Sequence, residues 1–328
     1  MITNKMIPFY LLLAAGFCLL LIKATDILII NFRSLAKRTK LGKFAVTTIV
    51  LALATSLPEL FVGVTAAYEG LPNLALGNII GSNIADLTIV VGGAALIGGT
   101  LKVGGSFAKS DLIYAFLAGL APIVLLFDRS LSRLDGIILL FLYGFYTVLV
   151  LTGRRRHLAN NESEEGVIHQ LLRRLNHRDA GRELGWIFLG VALLLFSADM
   201  LVRIAKQVAL NLNIPVLLVG LFLVAVGTSL PELAFELKSL REKETKMFFG
   251  DLLGSIVANG TLIIGITALI RPIEVRAFEE YLLATVTYIV VFLIFYFFIR
   301  TKHKLERWEG AFLIGFYLAF LLAAFIHP

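Results

Sequence analysis

The sequence predicts an all-α polytopic membrane protein, and three observations lead to this fold class: the composition, ten long apolar runs and an internal repeat. Apolar residues make up 58% of the 328 residues and charged residues only 16%, whereas about 25% of a soluble domain is charged. This composition excludes a disordered chain, a collagen-like fibre and a soluble enzyme. The single cysteine, Cys18, cannot form an internal disulfide and does not indicate a compartment.

Ten apolar runs are long enough to cross a bilayer, for which a helix needs about 20 residues. They lie near residues 7–32, 44–68, 72–100, 110–127, 134–152, 184–205, 214–237, 247–270, 278–299 and 308–326. The longest polar interruption contains three consecutive arginines and the acidic residues Glu162, Glu164 and Glu165, and we expect it to be a solvated linker. The expected organisation is a first five-helix unit over residues 1–152, a linker over 153–183 and a second five-helix unit over 184–328.

The distribution of basic residues predicts the orientation of these helices. With the N-terminus outside, 22 of the 30 Lys and Arg residues fall on the inner side, seven of them in the central linker. Cytoplasmic loops of membrane proteins carry such an excess. We therefore expect both termini outside and the linker in the cytoplasm. The net charge of +7 then reflects topology, and no nucleic-acid partner is expected.

The chain matches itself without a gap when it is shifted by 173 residues, from about 21–92 onto 194–265. The first and sixth helices are separated by five crossings, an odd number, so the two copies run through the membrane in opposite directions. Inverted repeats of this kind are typical of secondary transporters, which bind their substrate near the midplane where the repeats meet. The sequence therefore predicts two inverted five-helix repeats.

The sequence Thr-Ser-Leu-Pro-Glu occurs at residues 55–59 and again at 228–232, in the middle of apolar runs. In a soluble protein it would indicate a helix start, with Ser56 as the N-cap and Glu59 completing a capping box. At membrane depth, however, a carboxylate is costly and usually functional. Because Pro58 cannot donate a hydrogen bond to the preceding turn, we expect a broken helix with free carbonyls, which is where broken-helix transporters bind cations.

A second polar pattern follows at residues 77–86 and is mirrored at 250–259. Each copy presents two polar side chains four residues apart on one helix face: Ser82 and Asp86, and Ser255 and Asn259. For the serines and the asparagine, ion binding and hydrogen bonding between helices are both open. The acidic member favours ion binding, and the glycines of the pattern predict close helix packing.

These groups offer carboxylate, hydroxyl, amide and carbonyl oxygens, while all five histidines lie in loops or at the C-terminus. Oxygen ligands select hard cations such as calcium, sodium or magnesium and disfavour zinc and copper. Glu59 and Glu232 match the charge of one divalent ion, and Asp86 could add a third charge for a set of monovalent ions. The sequence thus predicts a cation site, with no catalytic residue and no bound cofactor.

At these two motifs the chain resembles the cation/calcium antiporter superfamily, most closely its sodium/calcium exchanger branch in a minimal prokaryotic form. The resemblance implies ten helices, a non-enzymatic protein of the inner membrane that functions as a monomer, and calcium and sodium moving in opposite directions by alternating access. It implies that Glu59 and Glu232 bind both ions at the centre. The other implied ligands are side chains of Thr55, Ser56, Ser82, Thr228, Ser229 and Ser255, carbonyls of Ala52 and Ala225, and Asp86 and Asn259.

One departure from the branch pattern and one feature shared with another branch bear on the ions. Asp251 stands where asparagine is usual, and we expect it near the cytoplasmic mouth. Potassium-dependent exchangers carry an acid in one repeat and an amide in the other, as Asp86 and Asn259 do here, so potassium transport stays open. Outside the site, we expect Asp26 and Asp199 to pair with neighbouring helices instead of binding ions.

Three other functions are weighed against sodium/calcium exchange. A proton/calcium exchanger of the same superfamily usually carries a Gly-Asn-rich core in place of Thr-Ser-Leu-Pro-Glu. An intramembrane enzyme is less consistent, because neither His-Glu-x-x-His nor Gly-x-Ser-x-Gly occurs. A passive cation channel is the third alternative, and it differs from an exchanger in needing no counter-ion gradient.

Overall fold

The computed structural model describes residues 6–38, 53–102, 109–158, 180–241, 245–302 and 304–326. Within these ranges the helices are α1 (Ile7–Arg38), α2 (Leu57–Tyr68), α3 (Pro72–Ala85, continued by Asp86–Val90 and Val91–Gly98), α4 (Lys109–Leu125), α5 (Arg133–Leu158), α6 (Ala180–Leu212), α7 (Val216–Val219, continued by Gly220–Val224 and Ala225–Thr228), α8 (Leu230–Arg241), α9 (Thr245–Val257, continued by Ala258–Ile263 and Ile264–Ile270), α10 (Phe278–Lys302) and α11 (Arg307–Ile326).

The helices confirm the predicted fold class of a polytopic helical membrane protein. Nine segments in the described part of the chain are long and apolar enough to cross a membrane, and α2 is a shorter apolar helix. The second predicted span, 44–68, includes α2, and its first nine residues lie outside the described ranges. Helices α5 and α6 extend into the predicted linker, to Leu158 and from Ala180, and the rest of that linker is also outside these ranges.

Burial separates a central group of helices from a peripheral one. The apolar window of α3 is 83% buried and that of α9 is 72% buried, whereas only 11% of the α5 window is buried. Large apolar side chains such as Phe141 on α5 and Phe188 on α6 are exposed. An apolar outer surface suits lipid. The buried helices α3 and α9, which carry the two copies of the second polar pattern, therefore lie inside a shell of lipid-facing helices.

Two short antiparallel ribbons connect loops that are far apart in sequence. Strand β1 (Leu101–Lys102) pairs with β4 (Lys304–Leu305), and β2 (Ser130–Leu131) pairs with β3 (Ile273–Glu274). The first pair joins two loops that the basic residues predict on the inner side, and the second joins two loops predicted on the outer side. The ribbons thus agree with the predicted sharing of sides among these four loops.

Helices α3 and α7 cross at backbone contact. A Cβ added to Gly77 would run into the carbonyl of Leu217, and one added to Gly81 into the carbonyl of Leu221. Glycine at these positions lets two membrane helices approach closely. The contact places Ser82, one residue beyond Gly81, next to the Thr-Ser-Leu-Pro-Glu motif of the other repeat.

Each Thr-Ser-Leu-Pro-Glu motif interrupts a helix, as predicted. At Ser56 the backbone leaves helical geometry with φ −81° and ψ 7°, and α2 begins at the next residue. At Ser229, between α7 and α8, the angles are nearly the same, φ −82° and ψ 0°. A proline two residues further on removes one backbone donor from the following turn. The two breaks occupy matched places in the two repeats.

Candidate ion-binding site

Two hydroxyl groups, one from each motif, form matched contacts across the repeats. The Thr55 hydroxyl donates to Asp251 Oδ1 at 3.1 Å and lies 3.4 Å from Ser255 Oγ. Its repeat mate Thr228 donates to Asn78 Oδ1 at 3.1 Å and lies 3.3 Å from Ser82 Oγ. Each threonine therefore meets the polar helix of the opposite repeat, and the two contacts repeat each other with the shift of 173 residues.

Two further hydrogen bonds involve a carboxylate and a pair of amide groups. Ser82 Oγ donates to Glu59 Oε1 at 3.5 Å, and the Asn259 amide donates to Asn83 Oδ1 at 3.0 Å. All of these side chains are buried. Ser82 and Asn259 therefore do form hydrogen bonds between helices, which was one of the two interpretations left open for them. These bonds hold the polar side chains of both motifs around a common interior.

Among the residues that the structure describes, six buried oxygen atoms of this interior, in three repeat-matched pairs of residues, have no hydrogen-bond partner. They are Ser56 Oγ and Ser229 Oγ, Glu59 Oε2 and Glu232 Oε2, and Asp86 Oδ1 and Asn259 Oδ1. A buried polar atom without a partner costs about 1–3 kcal/mol, more when it is charged, so native structures contain few of them. Six such atoms around one interior indicate a binding site for a ligand that interacts with oxygen atoms.

The capping-box interpretation of the first motif does not describe this structure. Ser56 stands at the N-cap position of α2, yet its side chain makes no capping hydrogen bond. A capping box needs the serine hydroxyl on a backbone N–H of the first turn. The hydroxyl of Ser56 and one carboxylate oxygen of Glu59 are instead among the six oxygens without a partner.

The two predicted carbonyl ligands have different outcomes. Ala52 lies outside the described residues. The Ala225 carbonyl accepts hydrogen bonds from the Ser229 N–H at 3.0 Å and from the Thr228 hydroxyl at 3.2 Å. The expectation that the helix break frees this carbonyl is therefore not met, because the break falls one turn later. A cation ligated there would displace the Thr228 hydroxyl.

The backbone next to the site departs from regular α-helix in matched places. Residues Asp86–Val90 of α3 and Ala258–Ile263 of α9 form π-helical turns. Such turns are frequent at functional sites, because they re-aim side chains within a helix. Here they begin at or beside Asp86 and Asn259, the acid and the amide that end the second motif.

The donor set consists of oxygen atoms, which suits a hard cation. Among the described residues, no group of three or more His, Cys, Asp and Glu side chains is arranged to hold a metal ion. A cation in this interior would therefore be ligated by hydroxyl and amide oxygens as well as by carboxylates.

The structure places three further acidic residues. Asp251 is buried against Thr55, and its expected position near the cytoplasmic mouth stays a prediction. Asp199 pairs with Arg203 of its own helix at 2.9 Å instead of with a neighbouring helix. Glu236 is fully buried in α8, and sequence reasoning overlooked it. The available signal was its position four residues after Glu232, on the same helix face at membrane depth.

Comparison with known proteins gives consistent matches along both repeats. The family model for sodium/calcium exchanger proteins matches residues 9–152 and 183–326. The sodium/calcium exchanger MaX1 of Methanosarcina acetivorans is 28% identical over 346 residues, covering 96% of this chain and 98% of the relative. The inner membrane protein YrbG of Escherichia coli is 30% identical over 259 residues, 78% of each chain.

A solved structure of the sodium-calcium exchanger NCX_Mj, soaked with sodium and strontium, has the same fold. It superposes with a TM-score of 0.65 at 25% identity and covers 95% of this chain and 98% of its own. Both repeats of the present chain, with the break and the polar helix that each contributes to the site, fall within the matched family model. The chain belongs to the sodium/calcium exchanger protein family.

Proposed function

We propose that this chain is a secondary active antiporter that exchanges calcium for sodium across a membrane by alternating access. The observation that carries the proposal is the set of six buried, repeat-matched oxygens that have no hydrogen-bond partner among the described residues. Oxygen-only ligation favours hard cations, and membership of the sodium/calcium exchanger family supports calcium and sodium among them.

Glu59 and Glu232 are proposed as the central ligands, used by calcium and sodium in turn. Their two charges balance one calcium ion, while the further charge of Asp86 suits several sodium ions. The remaining proposed ligands are Thr55, Ser56, Ser82, Thr228, Ser229, Ser255 and Asn259, with carbonyl oxygens of Ala52 and Ala225. Because one set of ligands serves both ions, they compete, and competition is what couples the two fluxes.

The inverted repeats, over 1–152 and 184–328, supply two equivalent conformations for alternating access. Whatever conformation one repeat adopts toward one side, the other can adopt toward the opposite side, as in other inverted-repeat transporters. The helix breaks at Ser56 and Ser229 separate α2 and α8 from the preceding helical segments. Each ion then meets the site from one side at a time.

The proposed setting is the inner membrane of a prokaryote, with both termini outside and the linker in the cytoplasm. The excess of Lys and Arg on one side supports this orientation. The two ribbons, β1 with β4 and β2 with β3, support the assignment of their four loops to two sides. Both repeats belong to one chain, so a monomer holds a complete site.

Calcium uptake into sealed vesicles tests the proposal. Vesicles loaded with sodium should take up calcium when diluted into sodium-free buffer, and a proton ionophore should leave that uptake largely intact. Uptake that requires a proton gradient and ignores sodium would replace the proposal with proton/calcium exchange. Uptake without any counter-ion gradient would indicate a channel, and a requirement for potassium alongside sodium would identify a potassium-dependent exchanger.

A further inference from the structure

Glu236 is a buried acid that the exchange site described above does not use. The residue is 0% exposed, and both oxygens of its carboxylate lack a hydrogen-bond partner in the described part of the chain. It lies in α8 four residues after Glu232, which is about 6 Å along the helix. A buried, unpartnered carboxylate at this depth is costly, so its presence calls for a ligand.

The packing of α8 shows which helix Glu236 faces. Leu233 and Leu240, three residues before it and four residues after it, lie on the same face. Leu233 Cδ1 is 3.6 Å and Leu240 Cδ1 is 3.0 Å from the positions where a Cβ would stand on Gly93 and Gly98. The face that carries Glu236 is therefore directed at the second half of α3, which begins with Asp86.

Asp251 is a second buried acid near Glu236, and the two residues are called the acidic cluster below. Helix α8, which carries Glu236, packs against α9, which carries Asp251. Asp251 lies in α9, one turn before Ser255, as Glu236 lies one turn after Glu232. Because α8 ends at Arg241 and α9 begins at Thr245, both acids are displaced from the central site toward the same membrane face.

The cluster has no counterpart in the other repeat. The residues matched to Glu236 and Asp251 by the shift of 173 are Gly63 and Asn78, neither of which is charged. The second repeat therefore carries two carboxylate groups at positions where the first repeat carries none. Two carboxylate groups supply the charge and the oxygen ligands that calcium prefers.

We propose that Glu236 and Asp251 form an accessory calcium-binding site beside the central one, on the membrane face where α8 connects to α9. Calcium bound there is loaded into or released from the central site from that face only. The inference rests on the proposed function, since it assumes that calcium uses this pathway.

Equilibrium dialysis of radioactive calcium with the purified, sodium-free protein tests the accessory site. We expect two calcium ions per wild-type chain and one per Glu236→Gln chain. Glu236→Asp, which keeps a carboxylate, should retain two. Ser239→Ala is the matched control: this buried serine lies on the same helix, its repeat mate is Ala66, and the variant should bind two. Elution as a single species from size exclusion checks that each variant is folded.

The outcomes separate this inference from the proposed function. One calcium ion in both wild type and Glu236→Gln, or two in both, would overturn the accessory site and leave the exchange function standing. No calcium in wild type would overturn both. In sided vesicles, Glu236→Gln should raise the half-saturating calcium concentration about tenfold on the Arg241 face and leave the other face unchanged. An equal change on both faces would also overturn the proposal.

Discussion

Most polar residues of the site fall into pairs related by the repeat, and the exceptions that change its charge are acidic. Glu59 matches Glu232 in type and burial, and each has one carboxylate oxygen without a partner within the described ranges. Asp86, by contrast, is matched by Asn259. The symmetric acids can balance one divalent ion, whereas the asymmetric acid adds a charge that calcium at the centre does not need. These two kinds of acid should therefore respond differently to substitution.

Glu59→Gln and Glu232→Gln should each lower sodium-dependent calcium uptake at least about a hundredfold. Removing one partner of a buried charge interaction costs about 3 kcal/mol or more, and a hundredfold loss corresponds to roughly that free energy. Both variants should still be inserted and folded, because glutamine keeps the shape and hydrogen-bonding capacity. Uptake by either variant at a near wild-type rate, measured in vesicles with equal protein content, would show that the site is misplaced.

Asp86→Asn should keep calcium binding within about threefold of wild type while raising the half-saturating sodium concentration about tenfold, or ~1.4 kcal/mol. The reason is that Glu59 and Glu232 alone balance a calcium ion, whereas several sodium ions need the third charge. Calcium dialysis and the sodium dependence of exchange measure the two effects separately.

The double variant Asp86→Asn/Asn259→Asp provides the control for this interpretation. It returns the charge to the repeat-matched place, so the sodium dependence should move back toward that of wild type. An equal loss of calcium and sodium binding in the single variant would instead make Asp86 a central ligand for both ions.

At the scale of elements, the crossing of α3 and α7 determines how well the oxygen atoms of the two repeats meet. Gly81 lies where the backbone of α7 passes, next to Leu221 and Ala225. Ser82, the next residue of α3, contacts both Glu59 and Thr228. A small increase in the distance between these helices would therefore separate groups from both repeats.

Gly81→Ala should destabilise the protein by about 1–3 kcal/mol, the usual cost of overpacking, and should weaken ion binding as well. Gly93→Ala on the same helix is the matched control. A Cβ at Gly93 meets its nearest neighbour, Leu233 Cδ1, at an ordinary 3.6 Å, and alanine is the better helix former. Thermal unfolding in detergent measures both effects, and similar unfolding temperatures for the two variants would contradict the close-crossing argument.

At the scale of the whole molecule, the parts that could be predicted from sequence are local or repeated. Helix spans depend on runs of apolar residues, and the breaks at Ser56 and Ser229 depend on a proline inside such a run, so both are readable along the chain. The repeat adds orientation, because an odd number of crossings inverts the second copy. These features needed no knowledge of contacts between distant residues.

Most of the parts that could not be predicted depend on contacts between the repeats, and one depends on the residue at which a helix ends. Asp251 is buried and accepts a hydrogen bond from Thr55, which is 196 positions away. No local sequence pattern indicates this contact. The Ala225 carbonyl was expected to be free, yet the helix continues far enough for Ser229 to donate to it. Glu236 was readable as an acid one turn after Glu232, but its role depends on α3 and α9 packing around it.

The orientation of the whole molecule gives the last prediction. Because 22 of the 30 basic residues lie in loops assigned to the inner side, Arg241 should face the cytoplasm and Tyr68, which is 74% exposed at the end of α2, should face outward. In a Cys18→Ser background, which contains no other thiol, Tyr68→Cys should react with an impermeant maleimide added to intact cells. Arg241→Cys should react only after the cells are opened. The reverse pattern would show that the molecule is inverted in the membrane, and the accessory site of Glu236 and Asp251 would then serve the outer face. Labelling of both positions in intact cells would contradict the placement of the C-terminal ends of α2 and α8 on opposite sides.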